Sequence, residues 1–289
     1  MQQMVRMTDN QRGSLFMVLS MAGFAVEDMF IKSAARAMPL GQVLVLMGGL
    51  GVLWFGIMAR RAGQPALPAA LRSRVMVVRS GFELVGRLFY ALAIALTPLS
   101  VASAILQATP LVVVAGAAVI FGEKVGARRW ALTALGFAGV LVILRPGLAG
   151  FDALSLLALI GLIGFAGRDL ATRAAPRTLS NAQLGVAGFA VLALSGVAIL
   201  AFQGGPVAAD TLPLAKASGA ACFGILGYSF LTRAMRTGEV SAVTPFRYSR
   251  LLFAMVLGMT LFGERPDLPT IIGSVMIVGC GILILSRRP

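Results

Sequence analysis

The sequence predicts an all-α polytopic membrane protein of ten transmembrane helices arranged as two inverted five-helix repeats. Three observations carry this. Hydrophobic residues make up 58% of the 289 positions and charged residues only 12%, about half the charge of an ordinary soluble domain. Apolar runs recur along the whole chain at the length, roughly 20 residues, that a helix needs to cross the hydrocarbon core. Finally, GFAVEDMFIKSAAR at 23–36 returns as GFAGRDLATRAAPR at 164–177, with one offset of 141 residues relating Asp28 to Asp169 and Lys32 to Arg173.

Taken in order, the predicted spans are 14–36, 40–59, 75–96, 99–121, 128–145, 153–173, 182–203, 212–233, 240–262 and 269–286. The first is too long for a signal peptide and lacks a small-residue cleavage site, so it reads as a retained span. Most connections are short and carry Pro or Gly, as at Pro39, Pro98, Pro146 and Pro176. The stretch from Arg60 to Arg74 is the longest. In span nine, Pro245 removes a backbone donor and predicts a bend or freed carbonyls. The division expected is a tail over 1–13, a first repeat over 14–146 and a second over 147–289. Five spans per repeat is an odd number, so the second copy must run upside down.

The net charge of +14 does not call for nucleic acid, because the basic residues sit in the short gaps between spans. Fifteen Lys and Arg fall on the side of the N-terminus, among them Arg60, Arg61, Arg72, Arg74, Arg128 and Arg129. Even counting Lys32 and Lys216 near span ends, only five fall opposite. This asymmetry predicts cytoplasmic N- and C-termini. Cys222 and Cys280 lie in apolar segments and His is absent. No metal site, disulfide framework or His-based chemistry is indicated. The lack of a phosphate-binding loop pattern removes ATP drive within the chain. No nucleophile–base constellation suggests an enzyme, and a channel would not need inverted halves.

The same offset of 141 places FGEK (121–124) on FGER (262–265), and Phe82, Gly86, Phe89 and Ala93 on Phe223, Gly227, Phe230 and Ala234. The aromatic-Gly-Glu-basic turns FGEKVGARRW and FGERPDLPT each end a fourth span. Glycine-rich fifth spans follow, GFAGVLVILRPG and VGCGILIL. On these motifs and the two five-helix repeats, nearly the whole chain resembles the drug/metabolite transporter superfamily in its ten-helix EamA-type branch. That resemblance implies a secondary transporter of a bacterial-type inner membrane, often an exporter of amino acids, aromatic ones included, or of other metabolites. The partners implied are a small-molecule substrate, an amino acid first, and the lipid bilayer. No cofactor is implied, and a monomer is compatible with this plan.

Charges inside spans are costly, so each needs a partner, water or a function. Span three spaces Arg79, Glu83 and Arg87 four apart on one helix face, with Arg79 close enough to the boundary to snorkel. Span nine contributes Arg247 and Arg250, which compete as partners for Glu83. Asp28–Lys32 and Asp169–Arg173 read first as local pairs one helical turn apart, or more sharply as two alternating gates. Setting those pairs aside leaves Arg87, Arg168, Arg247 and Arg250 against Glu27 and Glu83. Such an excess of guanidinium suits a carboxylate or phosphate, which Arg binds bidentately. Glu27, whose repeat partner is Arg168, and Glu83 are the candidates for a proton-coupling carboxylate. Tyr90, Tyr228 and Tyr248, with Gln107 (the repeat partner of Tyr248), are expected to line the cavity. Trp54 and Trp130 suit the membrane interface, and Glu123 and Glu264 suit helix caps or loop contacts. The function expected is alternating-access export of small zwitterionic or anionic metabolites, with efflux of cationic drugs on Glu27 or Glu83 as the alternative.

Overall fold

Apolar runs of this length satisfy their backbone polar groups within the segment, so in a bilayer they fold as helices. The computed structural model describes residues 7–96, 105–144, 154–262 and 267–285. Among these are ten long helices and no strand: α1 (Asp9–Ala34), α2 (Leu40–Arg61), α3 (Arg74–Leu96), α4 (Thr109–Phe121), α5 (Ala127–Leu144), α6 (Ser155–Ala174), α7 (Asn181–Phe202), α8 (Thr211–Arg236), α9 (Ser249–Phe262) and α10 (Leu268–Leu285). Thr8 and Ser180 start α1 and α7 with capping boxes closed by Gln11 and Gln183. These satisfy two otherwise orphaned backbone donors at each end.

Two helices depart from the expected spans. The ninth expected span, 240–262, interrupted at Pro245 as the sequence predicts, divides into an α turn at Val240–Val243, a 3-10 segment at Thr244–Tyr248 and then α9. Pro245 sits at the break, where its missing N–H and fixed φ end the first turn. The fourth expected span is interrupted by a turn at Gln107–Ala108 before α4, with Pro110 in the first turn of α4; the expected start, 99–104, lies outside the described residues. By length and composition alone, α1, α2, α7 and α8 qualify as membrane-crossing. Helix α3 carries Arg79, Glu83 and Arg87, and α6 carries Arg168, Asp169 and Arg173, while α4 and α9 are shorter. Apolar side chains such as Leu53, Trp54, Val119, Val275 and Ile282 cover the outer surface.

Helix pairing obeys a pseudo-two-fold. Helix α1 packs along α8 and α3 along α6, which is the same contact under exchange of repeats; so are α1 with α9 and α4 with α6, and α2 with α8 and α3 with α7. The pairs α2–α7 and α5–α10 map onto themselves. The repeated glycines explain two of the close crossings, α3 with α6 and α1 with α8. A Cβ on Gly164 would stand 2.4 Å from the backbone N of Gly86, and one on Gly23 would stand 3.0 Å from Cα of Gly227. Only glycine permits backbones to approach this closely, a usual device of packing in lipid, where hydrophobic burial gives helices no net attraction.

Candidate functional site

The charges that the crossings bring together form one network. Glu83 on α3 is fully buried and takes three arginines: Arg79 at 3.2 Å, Arg87 at 3.3 Å and Arg168 of α6 at 3.6 Å. Arg168 Nε also donates to Asp169 at 2.9 Å, and Asp169 in turn pairs with Arg247 of the 3-10 segment. The competition for Glu83 therefore goes to Arg79, Arg87 and Arg168 rather than to Arg247 or Arg250.

Arg79 differs from its expected snorkelling place. It is 1% exposed, donates from Nε to Thr172 Oγ1 at 2.9 Å and bonds the Tyr228 hydroxyl, which donates on to the Leu184 carbonyl at 3.2 Å. Its guanidinium is drawn inward to Thr172 of α6 and Tyr228 of α8 instead of reaching for the membrane boundary. Thr172 and Arg79 are thus members of the network that sequence reasoning passed over, although the four-residue spacing of Arg79, Glu83 and Arg87 was the available signal.

The repeated segment can now be read residue by residue. Its glycine makes the helix crossing. Its phenylalanine carries a guanidinium on the ring face: Arg250 stands 5.5 Å from the centroid of Phe24, and Arg168 stands 5.3 Å from that of Phe165, distances at which cation–π attraction operates. Its aspartate takes an arginine from the region around the start of α9, Arg250 for Asp28 and Arg247 for Asp169. The expected local pair of Asp169 with Arg173 is not formed, because Arg247 and Arg168 already occupy that carboxylate. Lys32's side chain lies outside the described residues, and the Asp28 carboxylate is held by Arg250 across the helix interface. The repeat partners of Arg247 and Arg250 are Leu106 and Thr109, so both arginines that reach these aspartates come from one repeat.

Glu27 is 9% exposed, faces Gly224 of α8, and makes no hydrogen bond or ion pair to a described residue. Its charged neighbours are Asp28, Arg87 and Arg250. Among the other expected lining residues, Tyr90 packs edge-on against Phe165. Gln107 is half-buried beside α4. Tyr248 lies apart from the charged network: it is packed with Val140 and Ile277 between α5 and α10, with its hydroxyl donating to the Thr133 carbonyl at 3.3 Å. Glu123 accepts from the N–H groups of Val240 and Ser241 at 2.9 and 3.0 Å, capping the broken span; Glu264 lies outside the described residues. Among the described residues no cluster of His, Cys, Asp or Glu has metal-site geometry.

A profile of the EamA-like transporter family matches residues 11–145 and matches a second time over 152–287. The chain belongs to the EamA-like transporter family. It is similar to the pseudopaline exporter CntI of Pseudomonas aeruginosa PAO1, with 26% identity covering 95% of this chain and 96% of the relative. It is also similar to the S-adenosylmethionine uptake transporter of Rickettsia prowazekii Madrid E (25%, covering 77% and 75%) and to the riboflavin transporter of Rhizobium johnstonii (25%, covering 96% and 91%). A solved crystal structure shares the fold at TM-score 0.77 and 20% identity, covering 95% of this chain and 96% of that one. The EamA-like chain is therefore a multi-pass membrane transporter and not an enzyme.

Proposed function

We propose that this EamA-like chain is an alternating-access carrier that exports small zwitterionic or anionic metabolites, amino acids first, from a bacterial cytoplasm. One observation carries the substrate class. Among the described residues, four guanidiniums (Arg79, Arg87, Arg168 and Arg247) meet two carboxylates (Glu83 and Asp169) in one network. Arg87 Nε is buried without a hydrogen-bond partner among the described residues. A spare buried donor on a cation costs free energy unless an acceptor arrives, and a substrate carboxylate is that acceptor. The network lies between α3, α6, α8 and the 3-10 segment, where the repeats meet, the place at which carriers of inverted-repeat design bind substrate.

With the basic side cytoplasmic, the Asp169–Arg247 pair stands nearer the cytoplasm and is buried, while Asp28–Arg250 stands nearer the opposite face and is accessible. The cytoplasmic end is also tied by Arg129 to Glu239 at 2.7 Å and by Arg236 to the Leu179 carbonyl at 2.7 Å. We read this as a carrier open to the outside, whose two aspartate–arginine pairs exchange roles when it turns inward. A second reading, efflux of organic cations, draws on Glu27, a buried carboxylate with no arginine bonded to it among the described residues.

Counterflow into proteoliposomes separates the two. Vesicles preloaded with unlabelled amino acids are tested against a labelled panel that also includes riboflavin, S-adenosylmethionine and tetraphenylphosphonium, beside an Arg87→Gln variant. Transient accumulation of amino acids, weakened about tenfold or more in affinity by Arg87→Gln, is the expected result. Accumulation of the organic cation alone, abolished by Glu27→Gln, would contradict it.

A further inference from the structure

We propose that the apolar groove between α3, α4 and α6 is a binding site for an anionic phospholipid, one acyl chain lying in the groove and the headgroup at Arg74. The groove encloses about 730 Å³ and is walled by apolar side chains, among them Val78, Phe82, Val112 and Ala171, with Arg74 at one end. It opens on the outer surface of the bundle, beside exposed Val119 and Ile120. The network of Glu83 lies elsewhere: none of Glu83, Arg87, Asp169 or Arg247 lines the groove.

The groove is not a necessity of the fold, because the other repeat fills the equivalent space. At the offset of 141 residues, Ala171 corresponds to Phe30, Val112 to Phe253 and Ala115 to Val256. Phe30 stacks on Phe223, the repeat partner of Phe82, with ring centroids 6.0 Å apart. One phenylalanine thus seals α1 against α8, while alanine leaves α6 open against α3. A concavity at hydrocarbon depth excludes water, and the flexible apolar rod at hand is an acyl chain. The headgroup follows from charge. Arg74 is the first residue of α3, is exposed, and has no ion-pair partner among the described residues. It lies on the side with the surplus of Lys and Arg, and a guanidinium there binds a phosphate bidentately. The proposal rests on membrane embedding and not on the transported substrate.

Native mass spectrometry of the delipidated, full-length protein tests it, titrating phosphatidylglycerol against phosphatidylcholine of identical chains. The unaltered chain should favour phosphatidylglycerol about fivefold, the worth of one basic residue near a headgroup. Arg74→Gln should erase that preference while still binding both lipids. Ala171→Phe, which installs the side chain of the other repeat, should lose tight binding of both, with its unfolding temperature and counterflow substrate range unchanged. Ala115→Val is the milder filler should Ala171→Phe not fold. Equal binding of the two lipids by the unaltered chain would overturn the headgroup assignment. A folded groove-filling variant that binds lipid like the parent would overturn the site.

Discussion

Asp28 and Asp169 occupy the same place in two copies of one segment, yet their surroundings differ. Asp169 is 1% exposed and held by Arg168 and Arg247; Asp28 is 54% exposed and, among the described residues, held by Arg250. Both copies keep the glycine crossing and the phenylalanine under a guanidinium. The repeat therefore sets where each carboxylate stands, and the packing of neighbouring helices sets whether it sees solvent. In a carrier built of inverted halves, that inequality is what a single conformation should display. The opposite conformation should display its reverse.

The largest predicted effect comes from removing the charge on which the buried side depends. Glu83→Gln leaves Arg79, Arg87 and Arg168 without their shared carboxylate. Uncompensated buried charge costs about 3–5 kcal/mol when one partner is lost, more than many membrane domains can spare. Little folded protein on size-exclusion chromatography is expected, and a yield and unfolding temperature equal to the parent would break the comparison. Next comes Asp169→Asn against Asp28→Asn. The buried member should lose about 3 kcal/mol or more, and the accessible one about 0–1 kcal/mol. A thermal-unfolding series that ranks them the other way would show that exposure does not set their worth.

The glycine crossings sharpen the same comparison at the level of packing. Gly164→Ala puts a Cβ 2.4 Å from the Gly86 backbone, whereas Gly23→Ala puts one 3.0 Å from that of Gly227. Overpacking costs about 1–3 kcal/mol, so both should destabilise, Gly164→Ala more. Equal losses would mean that the two crossings relax alike. The smallest effect is expected from Tyr248→Phe. It removes one long hydrogen bond to Thr133 outside the charged network, worth about 1 kcal/mol, and should leave substrate affinity in counterflow unchanged.

Much of this was legible in the sequence for a physical reason. Charges and glycines are rare in spans, so their recurrence at one offset is informative; the segment at 23–36 announced its inverted copy and the broken ninth span announced itself through Pro245. Partner choice was not legible. Asp169 had Arg173 one turn away on its own helix, and nothing local says that Arg247, 78 residues on, reaches it first. Arg79 looked free to snorkel because one helix, read alone, does not reveal that Thr172 of α6 and Tyr228 of α8 hold its guanidinium. Tyr248 followed its repeat partner Gln107 towards the centre on paper, but the 3-10 turn after Pro245 swings it between α5 and α10.

Carboxyl footprinting tests the exchange of the two aspartates most directly, because it needs no substitution. Carbodiimide-activated amine labelling of the reconstituted protein, read by peptide mass spectrometry, should modify Asp28 much faster than Asp169. Saturation with whichever amino acid gives the strongest counterflow should lower the Asp28 rate and raise that of Asp169. Equal labelling of the two before substrate, or a ratio that a transported substrate leaves unmoved, would contradict the account.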